Sequence, residues 1–260
     1  MKVSYFPGCT LKTKAKDLEE YALKSASVLG VEMEEIENWQ CCGGAFTTSS
    51  DEIATKLSSI RALESAKKKG QVLVSVCSAC HNVLKQTNNA IKVNLDFKEK
   101  ANNYLKSEDI EYNGETEVIH FLELLRDKVG YENVKEKVVK PLKDLKVCCY
   151  YGCLLLRPSK VMQMDDAENP SIMEDLVRAL GAEPKYFGFR NECCGGYTVM
   201  DERGDAKGKS KLILDSAKKA GADVIVTACP LCLYNLKKNQ DGVKVVYFTE
   251  LLAEALGVKE

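Results

Sequence analysis

With 260 residues, 45% of them hydrophobic and 29% charged, the chain is long enough for two compact α/β-sized units and has the composition of a globular protein. Its net charge of −1 gives no field for nucleic acid or other polyanions. The longest apolar run, Val147 to Leu156, falls short of the roughly 18 residues a membrane span needs, so no direct membrane insertion is expected.

In chain order, Lys2–Phe6 reads as a strand running into Cys9, and this opening has no signal-peptide character, which predicts a cytoplasmic protein. Leu18, Tyr21, Ala22, Val28 and Leu29 recur at helical spacing, with Gly30 placed to end the helix. The double cysteine Cys41-Cys42 continues into Gly43-Gly44, and Ile53, Leu57 and Ile60 then mark the stripe of an amphipathic helix ended by Gly70. Residues 72–76 form a short buried-type strand delivering Cys77-Ser78-Ala79-Cys80. A charged segment of about 92–117 reads as an inserted arm or helix.

The second half repeats the first. A strand at 146–150 leads to Cys153, and Pro170 suits the first position of a helix carrying Ile172, Met173, Leu176, Val177 and Leu180. Cys193-Cys194-Gly195-Gly196 follow, then an amphipathic helix, then Val224–Thr227 delivering Cys229-Pro230-Leu231-Cys232. Cys42 to Cys77 is 35 positions, and Cys194 to Cys229 is again 35. Leu29-Gly30-Val31-Glu32 matches Leu180-Gly181-Ala182-Glu183, and Val118–Leu125 lines up with Val245–Leu252. Ordered coincidences of this kind mean internal duplication. Alternating strands and helices predict α/β domains with parallel strands, the first over 1–140 and the second over 141–260.

Clustered cysteines in a reducing compartment favour metal or redox chemistry over a disulfide scaffold. A CxxC at a strand–helix junction aims two sulfurs one way, and the helix N-terminus favours thiolate. Holding two adjacent cysteines at one centre needs an unusual bend, which Gly43, Gly44, Gly195 and Gly196 can supply while bringing backbone N–H groups near sulfur. Zinc sites close at roughly four ligands, as do ordinary cubane clusters. Each half offers five cysteines: Cys9, Cys41, Cys42, Cys77 and Cys80, then Cys153, Cys193, Cys194, Cys229 and Cys232. One thiol per set is idle, or the cluster is not an ordinary cube.

Tyr5-Phe6-Pro7-Gly8-Cys9, Trp39-Gln40-Cys41-Cys42-Gly43-Gly44, Tyr151-Gly152-Cys153 with Leu154-Leu155-Leu156-Arg157-Pro158, and Cys229-Pro230-Leu231-Cys232-Leu233-Tyr234-Asn235-Leu236 resemble the B-type subunit of heterodisulfide reductase, of the cysteine-rich CCG domain proteins. The resemblance spans nearly the whole chain. It implies two pseudo-symmetric Rossmann-like domains and two noncubane [4Fe-4S] clusters, one per five-cysteine set. It also implies reduction of a disulfide of the coenzyme M–coenzyme B type, or an analogue, with electrons from the ferredoxin-like and flavin-containing subunits of an anaerobic heterodisulfide reductase-type complex. Two alternatives stand beside it: a non-catalytic electron-relay or scaffold subunit of another oxidoreductase, and zinc in one half with a single cluster in the other.

Outside the ten cysteines, His81 is a candidate proton donor or structural hydrogen-bonding group beside the first CxxC. Arg157 and Lys160 are candidates for holding an anionic disulfide or balancing cluster charge. Cys148 and Cys149 read as buried apolar residues, His120 as a satisfied strand-end group, and Trp39 and Tyr151 as water-excluding neighbours of the cysteines.

Overall fold

A computed structural model describes residues 1–44, 53–198 and 205–259. In chain order the first half comprises β1 (Lys2–Phe6), α1 (Cys9–Thr13), α2 (Lys16–Val28), β2 (Glu32–Glu35), α3 (Leu57–Lys68), β3 (Leu73–Ser75), α4 (Ser78–Val93), α5 (Leu95–Leu105), β4 (Val118–His120), α6 (Phe121–Glu123) and α7 (Tyr131–Glu136). The second comprises β5 (Lys146–Tyr150), α8 (Ser159–Met162), α9 (Ile172–Ala179), β6 (Glu183–Lys185), α10 (Ala206–Lys219), β7 (Val224–Thr227), α11 (Pro230–Lys238), β8 (Lys244–Tyr247) and α12 (Phe248–Ala255). Among the described residues these strands make two four-stranded parallel sheets, ordered β2-β1-β3-β4 and β6-β5-β7-β8. The architecture is α/β, a Rossmann-like unit built twice.

Strand order explains where a site can form. In each sheet the chain steps outward from the first strand to one side, then crosses to the other. The crevice beyond the carboxyl ends of β1 and β3, and of β5 and β7, is therefore a topological switch point. Helices diverge there and leave loop backbone free. All ten motif cysteines follow carboxyl ends of strands: Cys9 after β1, Cys77 after β3, Cys153 after β5, Cys229 after β7, and the double cysteines beyond β2 and β6.

The inner strands are buried on both faces, as the runs Val3–Phe6 and Val147–Tyr150 require, and Cys148 and Cys149 sit fully buried on β5 as core residues. Helix α2 buries Leu18, Ala22, Ser25 and Ala26 and ends where Gly30 turns left-handed (φ +73°), letting Val31 N–H reach Ala26 O at 2.9 Å. Pro170 does not begin a helix. α9 starts two residues later, because the Asp165 carboxylate accepts the N–H groups of Ser171 and Ile172 at 2.7 and 2.8 Å. The charged segment forms α5, which lays Phe97, Ala101 and Leu105 on the core. Tyr112 is buried beyond it, its hydroxyl 2.6 Å from Asn88 Oδ1.

The halves share one continuous apolar core. Helix α12 of the second half packs along α2 of the first, with Thr249 Oγ1 donating to Leu18 O at 2.9 Å. Helices α6 and α7 of the first half pack reciprocally on α9. Each half is thus covered by the last helix of the other.

Candidate iron–sulfur centre

The first set is held at the switch point of the first sheet. Cys41 Sγ lies 3.5 Å from Cys9 Sγ, and Cys42 Sγ lies 3.5 Å from Cys80 Sγ. Hydrogen bonds from Cys41 and Cys80, with the Gly44 backbone, draw the Cys42 thiol down to about 3, while Cys42 pushes Cys41 and Cys80 up. Cys77 completes the chain of contacts through Cys80. The second set closes on one small cavity lined by Cys153, Cys193, Cys194, Cys229 and Cys232, with Cys194 Sγ 3.4 Å from Cys232 Sγ. Cys153 lowers Cys193 to about 6, and Cys232 lowers Cys194 to about 7. In both sets hydrogen bonds from neighbouring thiols and backbone favour the thiolate at one cysteine and the thiol at its partner.

Backbone makes room for these sulfurs. A Cβ on Gly8 (φ +75°) would stand 2.7 Å from Cys80 Sγ, and one on Gly152 (φ +66°) 3.2 Å from Cys232 Sγ. The double-cysteine glycines also feed sulfur: Gly43 and Gly44 N–H bear on Cys41 and Cys42, Gly195 N–H is 3.3 Å from Cys193 Sγ, and Gly196 N–H bears on Cys194. Asn235 Nδ2 donates to Cys194 O at 2.5 Å, fixing the double cysteine on α11.

Exposure differs between sets. Cys9 and Cys41 are exposed, Cys153 and Cys193 half-buried, and the other six motif cysteines buried. A buried carboxylate anchors the second set: Tyr151 O–H donates to Glu174, whose other oxygen takes Arg190 Nη1 at 2.7 Å. Arg190 O in turn accepts Tyr151 N–H at 2.8 Å, locking the turn before Cys153 to the segment before Cys193. Trp39 near the first set donates to Glu35 at 2.9 Å and stands edge-on to Phe6, and Tyr151 spends its hydroxyl on this network.

The starts of the two CxxC helices are tied together across the halves. Ser78 Oγ donates to Ala228 O at 2.6 Å, and Tyr247 O–H lies 2.7 Å from Val76 O and 2.8 Å from Ala228 O. Val76 and Ala228 are the residues immediately before Cys77 and Cys229. His120 sits at the repeat position of Tyr247, and its Nε2 also meets Val76 O, at 3.0 Å.

Three residues singled out by the sequence lie elsewhere. His81 turns into the core, 3.2 Å from Glu123 Oε2 and edge-on to His120; burial pushes it down against the pull of Glu123. Helical geometry accounts for this, since the residue after Cys80 points about 100° round α4. Arg157 spends its guanidinium on Asn191 O and Glu168 rather than on sulfur. Lys160 stands exposed on α8 and lines a different groove. Among the described residues, cations that bear on the motif cysteines include Lys56, buried with its charge opposed by burial and favoured by Cys42, and Lys209, which helps lower Cys193. Tyr197 is a further neighbour: it lines the second-set cavity, and burial together with cysteines of both sets raises its phenol. Neither lysine has a sequence signature, because each reaches its cysteine across the fold.

The pattern of the family described as cysteine-rich domain (CCG) matches residues 3–85 and 147–237. The chain is 33% identical over 98% of its length, and 92% of the relative's, to the 8-methylmenaquinol:fumarate reductase membrane anchor subunit of Wolinella succinogenes. It is 30% identical over 98% of its length to the B-type subunit of the ferredoxin:CoB-CoM heterodisulfide reductase of Methanosarcina mazei, covering 89% of that protein. A crystal structure of a hypothetical protein from Helicobacter pylori superimposes over the whole chain and 49% of its own, with TM-score 0.76 and 12% identity, a likeness of fold. Among the described residues no helix is long and apolar enough to cross a membrane.

Proposed function

This chain belongs to the cysteine-rich CCG domain family, and from that premise we propose that it is the iron–sulfur subunit of a heterodisulfide reductase-like complex, reducing a disulfide at two noncubane [4Fe-4S] clusters. The observation that carries the reading is five thiols lining one cavity in the second half and a run of sulfur contacts from Cys9 through Cys41, Cys42 and Cys80 to Cys77 in the first, with the starts of the two CxxC helices tied through Ser78 and Ala228. Cys9, Cys41, Cys42, Cys77 and Cys80 would hold one cluster and Cys153, Cys193, Cys194, Cys229 and Cys232 the other. The donor set is all sulfur, in fives, with Gly8 and Gly152 leaving space at sulfur, and this fits an iron–sulfur group better than a four-ligand zinc site.

Bound there, the clusters would supply the two electrons that, with two protons, convert R–S–S–R′ to RSH and R′SH. The protein's own part is to fix the thiolates, offset their charge with Lys56 and Lys209, donate backbone N–H groups to sulfur and hold the two centres in register. Ferredoxin-like and flavin-bearing subunits of the complex would deliver the electrons, in the cytoplasm; the disulfide is of the coenzyme M–coenzyme B type or an analogue.

The W. succinogenes relative supports a second reading, an electron-relay subunit of another oxidoreductase. Metal analysis of anaerobically purified protein tests the cofactors: about eight iron per chain and no zinc is expected, and about four iron with one zinc overturns the paired-cluster reading. Thiol release from candidate disulfides by the reduced complex separates enzyme from relay. A complex whose cluster spectra respond to no disulfide is a relay.

A further inference from the structure

The five thiols of each set are not equally guarded. In the first set Cys9 and Cys41 are both exposed, and their Sγ atoms lie 3.5 Å apart. Cys9 opens the short helix α1, and Cys41 stands in irregular chain beyond β2. Contacting sulfurs can meet the geometric demand of a disulfide that widely spaced cysteines cannot. The other close contact of this set, Cys42 to Cys80 at 3.5 Å, is buried, at 3% and 4% exposure. A reagent in solution therefore reaches Cys9 and Cys41 first.

The second half holds the same two positions differently. Cys153 and Cys193 also touch, but both are half-buried. They line an enclosed cavity with Tyr151, Leu154, Tyr197 and Leu231, and Gly195 N–H meets Cys193 Sγ at 3.3 Å. Arg190 O accepts the N–H groups of Tyr151 and Gly152 at 2.8 and 3.3 Å, which ties the turn before Cys153 to the segment before Cys193. In the first half the corresponding tie is Ile36 N–H to Tyr5 O at 3.0 Å. Cys9 and Cys41 both lie beyond it, four and five residues further on.

We propose that Cys9 and Cys41 form a redox-sensitive pair that closes to a disulfide in exchange with small disulfides before metal is loaded, and that closure withholds the first cysteine set from a cluster while the second set stays open to one. One exposed thiolate opens the small disulfide R–S–S–R to a mixed disulfide, and the other displaces the remaining RS group. Both cysteine protons leave with the released thiols, so R–S–S–R is reduced to two RSH as the pair is oxidised. Closure leaves Cys42, Cys77 and Cys80, fewer than the roughly four ligands that a cluster or zinc takes. Small disulfides are the class of molecule assigned above to the loaded protein, and the same class would idle an unloaded first site. The effect on loading rests on the iron–sulfur reading; closure of the pair does not.

The test takes the full chain, reduced and metal-free, under argon at about pH 8 with oxidised glutathione. Remaining thiols are alkylated, and the peptides are mapped by mass spectrometry without reduction. A peptide linked through Cys9 and Cys41 should appear about tenfold sooner than one linked through Cys153 and Cys193. In urea that preference should vanish, and its persistence would overturn the fold as its cause. Cys9→Ser should leave glutathione held on Cys41. Anaerobic loading with iron and sulfide should give the oxidised chain about half the iron of the reduced chain, and dithiothreitol should restore the rest. First linkage through Cys42, or equal rates in the two halves, overturns the pair. Equal iron in the oxidised and reduced chains overturns its control of loading. If the reduced chain takes up no iron, the cluster reading fails, and the linkage map alone judges the pair.

Discussion

Ser78 and Ala228, 150 residues apart, are joined twice: the Ser78 hydroxyl and its backbone N–H both donate to Ala228 O, at 2.6 and 3.3 Å. The hydroxyl belongs to the first CxxC and the carbonyl immediately precedes the second, so the bond sets the distance between the two cysteine sets. Ser78→Ala should leave a fully buried carbonyl with Tyr247 as its remaining hydroxyl donor. About 1–2 kcal/mol of stability should be lost, read by urea unfolding. The Ser78→Ala and Tyr247→Phe double variant should lose more than the sum, since each hydroxyl covers for the other at Ala228 O; simple additivity would mean they do not share it.

Gly8→Ala places a methyl 2.7 Å from Cys80 Sγ at a left-handed φ, and should lower iron content of the chain toward half by emptying the first site alone. Iron analysis with the spectrum of the remaining cluster checks this. Full iron loading would show that Cys80 lies elsewhere in the loaded protein.

His120 is held neutral: burial and neighbouring His81 push it down to about 3, and its Nδ1 accepts Leu122 N–H at 3.2 Å. An unfolded histidine titrates near 6.5. As pH falls below about 6.5 the unfolded chain gains a proton that the folded chain refuses until about 3. Stability is therefore fully present above that window and declines through it by up to about 1.4 kcal/mol per pH unit. His120→Asn keeps a cap for Leu122 and should flatten the slope between pH 7.5 and 5.5 in urea unfolding. Identical slopes for the two proteins would refute the assignment.

Arg190→Met removes the cationic partner of buried Glu174. Breaking such a pair costs about 3–5 kcal/mol, because a carboxylate remains in apolar surroundings. Burial already raises Glu174 above the usual carboxylate range, so in the variant it takes up a proton and the loss should be smaller at pH 6 than at pH 8. Thermal unfolding at both values checks this; an equal loss would mean the pair is not electrostatic in origin.

Asn82→Ala deletes donors to Leu154 O and Arg157 O and should cost about 1–3 kcal/mol in urea unfolding, whereas Tyr234→Ala at the repeat position should cost well under 1. Equal costs would show that the boundary is held alike on both sides.

Much of the frame was legible because the inner strands and the cysteine spacing carry strong local signals. Lys2–Phe6, Lys146–Tyr150 and Val224–Thr227 stand where alternation and β-branching put them. The edge strands β2 and β6 were not, since Glu32-Met33-Glu34-Glu35 and Glu183-Pro184-Lys185 are charged and short, as unprotected edges require. His81, Arg157 and Lys160 are close to cysteines in sequence and face away from them in space. Lys56 and Lys209 do the reverse, and only the packing brings them near sulfur; Tyr197, three residues after Cys194, is close in both. Tyr247 had a faint signal, the polar group it shares with His120 at matching strand ends.

The crossed packing of α12 on α2 has a consequence for biogenesis. During translation the first half emerges with the apolar flank of α2 bare, and its cover is not made until β8 has followed. The gene duplication therefore did not yield two parts that mature in turn. Packing of the first half is completed only after α12 has left the ribosome, so the two halves finish folding together.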